Sequence, residues 1–211
     1  MEQFYKLLKE YNINFVTKEV DVPEWFLQYK EDEPPLYWKT VYEILKNEDK
    51  NQSIVEIGAG YGDITALLYF MGFNNVISFE RDNDLIPYIN DKVNILFNKS
   101  ANTINCSYPQ ELSYSPDIII EVNCSYFNQS SNKGEYIEQV KSTYRKNGIP
   151  KMFIFETIDE SYQEVNVNFP HFMRLNKTDI TNAFPNCQLE AFVTYKFPQN
   201  KVSKTIYKIC K

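Results

Sequence analysis

Short apolar runs alternate along most of the chain with segments whose apolar residues recur every three or four positions. The runs fall at 54–57, 76–80, 93–97, 117–122, 151–158, 188–196 and 204–209. The first five are continuous rather than alternating, as expected of strands buried on both faces of a parallel sheet. Between them, Ile64, Leu67, Leu68 and Met71 keep the i, i+3, i+4, i+7 spacing of one buried helical face. A short second helix is expected over 84–90, with Pro87 in its first turn. Ile137, Val140 and Tyr144 mark a longer one ended by Asn147-Gly148, and 178–184 a shorter one stopped by Pro185. Alternating strands and helices predict a doubly wound α/β fold with seven strands, mostly parallel. The last two runs are joined only by 197–203, too short for a crossover, so they are expected to form a C-terminal antiparallel hairpin.

Residues 1–50 precede this alternation. Phe4, Leu7, Leu8 and Tyr11 define one amphipathic helix, and after Pro34-Pro35 a second runs over about 36–47 with Tyr37, Val41, Ile44 and Leu45 on one side. They are expected to form a helical cap over the ligand edge of the sheet, ahead of one globular unit at 51–211. No internal repeat or low-complexity block interrupts the chain.

The composition narrows the function classes. The chain has 211 residues and a net charge of −6, with 43% hydrophobic and 24% charged residues, an ordinary globular balance. The charged N-terminal stretch has no signal-peptide run, and no segment approaches the roughly 18 apolar residues of a membrane span. The acidic balance without Lys/Arg clusters argues against a nucleic-acid partner. Cys106, Cys124, Cys187 and Cys210 lie far apart, with no CxxC pair and one histidine, His171. Reduced thiols in a cytoplasmic protein are therefore expected, and no metal site.

Candidate chemistry begins at a turn. The chain has six glycines, and three of them, Gly58, Gly60 and Gly62, fall within Glu56-Ile57-Gly58-Ala59-Gly60-Tyr61-Gly62-Asp63, between the first strand and the first sheet helix. Glycine permits positive φ and close approach of the backbone to a ligand. The spacing departs from the GxGxxG of nicotinamide sites. Asp63 at the helix start also opposes a pyrophosphate, so the turn suits a ligand carrying positive charge, and Glu56 points the same way.

This Glu-x-Gly-x-Gly-x-Gly resembles the first motif of the class I S-adenosylmethionine (SAM) methyltransferases. The resemblance spans about residues 53–211 and implies a Rossmann-like fold, SAM as cofactor and S-adenosylhomocysteine as product. It further implies that Glu80, at the end of the second strand and followed by Arg81-Asp82, accepts both ribose hydroxyls. Asn98 or Ser100, after the run at 93–97, is expected near the adenine, although the commoner Asp is absent. Glu121, at the end of the fourth strand, is expected beside the methionine portion.

Two resemblances compete over what receives the methyl group. Asn123-Cys124-Ser125-Tyr126 has the Asn-x-x-Tyr spacing of the NPPY motif of amino-methylating nucleic-acid enzymes, without its prolines. Together with Glu56–Gly62 it is also similar to bacterial sugar O-methyltransferases, which implies a sugar or nucleotide-sugar acceptor. A small amine or amide, oriented by Asn123, is the alternative, and a SAM-binding protein without turnover is the alternative of another class. A hydroxyl acceptor needs a base. His171 has the suitable ordinary pKa, Glu156 is a rival together with Asp159 and Glu160, and each also has an ordinary structural role open to it. The aromatic residues Trp25, Tyr29, Tyr37 and Trp38, with Tyr126, are candidates for the acceptor or sulfonium wall, or for packing.

Overall fold

The computed structural model describes residues 1–16, 31, 33–125 and 130–211. They divide into two compact units, Met1–Cys106 and Ser107–Lys211.

In the first unit, the two earliest apolar runs form β1 (Ser53–Ile57) and β2 (Asn75–Glu80), which pair in parallel from Ser53↔Asn75 to Ile57↔Phe79. β3 (Thr103–Asn105) adds in parallel to β2, so the strand order is β3-β2-β1. The helix α3 (Asp63–Phe70) connects β1 to β2, and α4 (Ile86–Phe97) connects β2 to β3. All residues from Ile64 to Tyr69 are buried, which explains why α3 is apolar nearly all round. The helices α1 (Glu2–Tyr11) and α2 (Leu36–Leu45) close over it, α1 against α3 and α4, α2 against α3. In this unit the N-terminal helices thus extend the helix layer. Phe4 lies 6.4 Å edge-on from Trp38 and 5.2 Å from Phe70, joining both N-terminal helices to α3.

The structure corrects the expected strand at 93–97, which is the last part of α4. Ile89, Lys92 and Val93 share its buried side, at the i, i+3, i+4 spacing of a helix. Pro87 stands in its first turn and Asn98 ends it in the left-handed conformation, φ 51°. A run as short as Val93-Asn94-Ile95-Leu96-Phe97 fits either period. The strand that replaces it is three residues long, with Ile104 as its one apolar residue, and left no comparable mark on the sequence.

In the second unit, β4 (Ile118–Glu121) pairs in parallel with β5 (Met152–Asp159), and α5 (Lys133–Arg145) connects them. β6 (Arg174–Leu175) adds two residues in parallel beside the end of β5, and was not foreseen. α6 (Lys177–Ala183) starts with a capping box, in which the Asn176 and Asp179 side chains each accept from the other's backbone N–H. It leads to β7 (Gln188–Tyr195) and β8 (Lys204–Cys210), the expected antiparallel hairpin, with β8 antiparallel to β5. The order is β4-β5-β8-β7. Parallel strands joined by helices, with an antiparallel C-terminal hairpin, are the α/β class that the hydrophobic pattern predicts, with eight strands among the described residues instead of seven.

The segment between β5 and β6 is tied down by one side chain. The buried Arg174 guanidinium donates to the carbonyls of Tyr162, Glu164 and Phe169 and lies 4.6 Å from the Tyr162 ring centroid. No described helix is long and apolar enough to cross a membrane.

Candidate functional site

The turn after β1 is built on β2. The N–H groups of Gly58 and Ala59 both donate to the Phe79 carbonyl, at 2.9 and 3.1 Å, so the chain leaves β1 pinned to the end of the next strand. Gly60 then takes φ 56°, and its N–H donates to Glu80 Oε2 at 2.7 Å. The other oxygen, Oε1, accepts from Asp82 N–H at 2.9 Å. The Glu80 carboxylate thus stands at the end of β2 joined to the turn on one side and to its own loop on the other. Each oxygen retains acceptor capacity, since a carboxylate offers about four lone-pair sites. Gly62 is required for a different reason. At φ 79° a Cβ there would sit 3.0 Å from Ile89 Cγ2, so this glycine allows α3 to start against α4.

Glu56, expected to face a positive ligand, is enclosed instead. Only 3% exposed, it accepts on Oε2 from Thr65 Oγ1 at 2.5 Å and from Ser78 Oγ at 2.7 Å, joining β1 to α3 and β2. Burial pushes its pKa up to about 7, with the hydroxyl donors opposing and Glu80 and Asp63 adding to the rise. Asp63, also expected to favour a cationic ligand, is paired: Lys92 Nζ lies 2.5 Å from its Oδ1 and donates to the Tyr61 carbonyl at 2.6 Å. Sequence reasoning missed Lys92, because a lysine within a helix looks like a solvated one until its register is known.

Arg81 is exposed just past β2. Asn98 and Ser100 follow a helix rather than a strand and are both exposed, so the reason for expecting them near an adenine is gone. The residue that does stand at the end of β3 is Asn105, whose Nδ2 donates to the Glu80 carbonyl at 3.0 Å and the Arg81 carbonyl at 3.1 Å. Tyr37 and Trp38 are packing residues here, with Trp38 fully enclosed beside Tyr5 and Tyr37. Trp25, Tyr29 and Tyr126 lie outside the described residues.

In the second unit, a polar cluster sits at the end of β4 and the adjoining parts of β5, β7 and β8. Asn123 adopts the left-handed conformation, φ 60°, and its N–H donates to Glu156 Oε2 at 3.0 Å. Its side-chain oxygen accepts from Lys204 Nζ at 2.5 Å, and that ammonium is 3.7 Å from Glu156 Oε2. Thr194 Oγ1 donates to Glu156 Oε1 at 3.0 Å. Ser125 Oγ donates to the Glu156 carbonyl at 2.6 Å and accepts from the Tyr136 hydroxyl. Glu156, a candidate base, is fully enclosed with both oxygens engaged; this geometry orients Asn123 and Lys204. Lys204 too was missed, its sequence position being an ordinary strand residue of the hairpin.

Glu121 ends β4 with its Oε2 out of contact with solvent and without a hydrogen-bond partner. Burial pushes its pKa up to about 8. His171 is exposed at the start of the 3₁₀ turn His171–Met173, which leads directly into β6. Asp159 Oδ2 accepts from Thr205 Oγ1 at 3.0 Å. Among the described residues, no group of three or more His, Cys, Asp or Glu side chains is placed to hold a metal ion.

No protein-family model and no curated protein matches the chain in sequence. Solved structures do match in shape. The magnesium protoporphyrin IX methyltransferase of Synechocystis with bound SAM superposes with a TM-score of 0.65 at 10% identity, over 99% of this chain and 97% of that one. The N-methyltransferase NodS of Bradyrhizobium japonicum gives 0.64 at 12%, over 86% and 99%. The chain has the fold of these methyltransferases. The 1,6-didemethyltoxoflavin-N1-methyltransferase of Burkholderia thailandensis, with its substrate and S-adenosylhomocysteine bound, gives 0.60 at 11%, over 100% and 89%. The methyltransferase fold is thus retained at identities of 10–12%, where residue roles do not transfer with it.

Proposed function

We propose that the protein is a SAM-dependent methyltransferase acting on a hydroxyl group of a small molecule, of the sugar or nucleotide-sugar kind. The observation that carries the cofactor assignment is Glu80, whose two carboxylate oxygens stand at the end of β2 beside the glycine turn. That donor set fits a ribose diol, because two acceptor oxygens at one carboxylate can each take a hydroxyl hydrogen. Gly58 and Gly60 give the turn the close backbone approach that an adenosyl amino acid needs. SAM supplies a methyl group on a positively charged sulfur, open to in-line displacement. The residues of this chain bind and orient: Glu80 holds the ribose and the 58–62 turn accommodates the rest.

The acceptor assignment draws on the second unit. The first claim on the Asn123 side-chain oxygen belongs to Lys204, a pure donor. An ammonium on that oxygen makes Asn123 a poorer acceptor from an amine. A hydroxyl must also lose its proton, and His171 is the proposed base; Glu156 serves as the anchor of Asn123. Replacing His171 with Ala should lower methylation of a hydroxyl acceptor on the order of 10²-fold while SAM affinity stays within about 2-fold. Unchanged turnover removes His171 from the mechanism.

Transfer to a small amine or amide is the second reading, supported by the two neighbours whose names specify nitrogen methylation. Incubation with methyl-labelled SAM and paired panels of nucleotide sugars, sugars and their amino analogues separates the readings by the atom that carries the label. Label on oxygen supports the proposal, label on nitrogen alone supports the second reading, and binding of SAM without turnover supports a non-catalytic SAM-binding protein. We further propose a cytoplasmic protein, with residues 1–50 as an appendage to the SAM-binding part, and with neither a nucleic-acid nor a membrane partner.

A further inference from the structure

Lys92 is the one lysine of the first unit whose side chain is wholly buried among the described residues. A buried ammonium is costly unless its hydrogens are taken up. Two of its three hydrogens are taken up by one short segment. Nζ donates 2.6 Å to the Tyr61 carbonyl and 2.5 Å to Asp63 Oδ1, on either side of Gly62, so a single cation spans the end of the glycine turn and the first residue of α3. The same ammonium lies 5.6 Å from the ring centroid of Tyr11, the last residue of α1, within cation–π range. Burial lowers its pKa while Asp63 and Glu56 oppose the change, so the charge is supported by the acids around the turn.

Two consequences follow from that placement. Glu56, Asp63 and Glu80 concentrate negative charge about one turn. The pair with Lys92 removes the part of that charge standing at the helix start, where a ligand carboxylate would otherwise be repelled. Moreover, three of the six residues from 58 to 63 are glycines, a segment with high intrinsic freedom that must be ordered before it can bind. We propose that Lys92 is the positioning residue of the glycine turn, holding it in binding geometry and coupling it to the docked N-terminal helix through Tyr11. The inference rests on the SAM-binding reading for its ligand, and on the geometry alone for the clamp.

The test uses the full chain with Lys92→Met, Lys92→Arg, Asp63→Asn and Tyr11→Leu, in two readouts. Amide hydrogen exchange without ligand should rise at least 10-fold over 60–66 in Lys92→Met, and over 8–16 as well, while β1 and β2 stay protected. Titration with SAM should show at least 10-fold weaker binding in Lys92→Met, recovery in Lys92→Arg, and a smaller loss in Tyr11→Leu, whose side chain lies on α1. Exchange that is unchanged, or raised equally through β1 and β2, overturns the clamp. SAM affinity unaffected by Tyr11→Leu overturns the coupling. Should Lys92→Met fail to fold, Asp63→Asn keeps the shape and removes the ion pair, and the same exchange pattern decides. If the wild-type chain binds no SAM, the proposed function fails while the exchange readout still decides the clamp.

Discussion

Replacing Glu80 with Ala should weaken SAM binding on the order of 10²-fold or more. The carboxylate performs two tasks that the substitution ends together. It accepts from the N–H groups of Gly60 and Asp82, which fix the turn against the end of β2, and it offers the acceptor oxygens proposed for the ribose. Hydrogen bonds to a charged group each contribute roughly 1.5–3 kcal/mol, and a tenfold affinity change corresponds to about 1.4 kcal/mol. Glu80→Gln separates the two tasks. It keeps one oxygen for Gly60 N–H but turns the oxygen that accepts from Asp82 N–H into a donor, so it should lower the melting temperature less than Glu80→Ala does and still lose most of the affinity. Isothermal titration of both variants, with thermal unfolding alongside, checks this. Wild-type affinity in Glu80→Ala would place the ribose contact elsewhere.

The second large effect concerns stability and pH. Glu56 and Glu121 have pKa values of about 7 and about 8 in the folded chain, both raised from 4.5 by burial. A folded state that binds protons more tightly than the unfolded one gains stability at low pH and loses it as pH rises. For these two groups the loss runs from about pH 4.5 up to pH 7 for Glu56 and pH 8 for Glu121, and is complete above those values. Each contributes on the order of 2–4 kcal/mol across its window. Urea unfolding at pH 5.5 and pH 8.5 should therefore show a clear decrease at the higher pH. Glu56→Gln should remove Glu56's part and be more stable than wild type at pH 8.5. Both hydroxyl donors converge on one oxygen, Oε2, so the amide oxygen of Gln can accept them in its place. A decrease that survives in full in the variant would contradict this assignment.

The strand-and-helix alternation was legible wherever a run was long and bounded. The strands β1, β2, β4, β5, β7 and β8 lie within a residue or two of the hydrophobic runs, and α1, α3, α5 and α6 follow their periodic residues. The run at 93–97 failed because five residues cannot distinguish a strand from a helix end, and the true β3 offers one buried-type residue in three. β6 has two residues and depends on pairing with β5, a non-local cause that the pattern does not hold. The placement of the glycine turn between β1 and α3, and of Glu80 at the end of β2, was legible because three glycines in five residues mark a turn after a bounded apolar run. Glu56, Trp38 and Tyr37 are of types that fit either a ligand wall or a core, and their burial is shown only by the packing. Lys92 and Lys204 were underread for the converse reason. Long charged side chains are solvated by default, and their burial depends on partners 29 and 81 residues away in sequence.

Titration of the purified full chain with SAM, S-adenosylhomocysteine and NAD in one calorimetric series tests the central claim most directly. The account predicts saturable binding of both adenosyl compounds at one site per chain and no measurable binding of NAD, because the turn lacks the GxGxxG spacing of dinucleotide sites. Binding of NAD, or of none of the three, would contradict it and take the proposed roles of Glu80 and the acceptor residues with it.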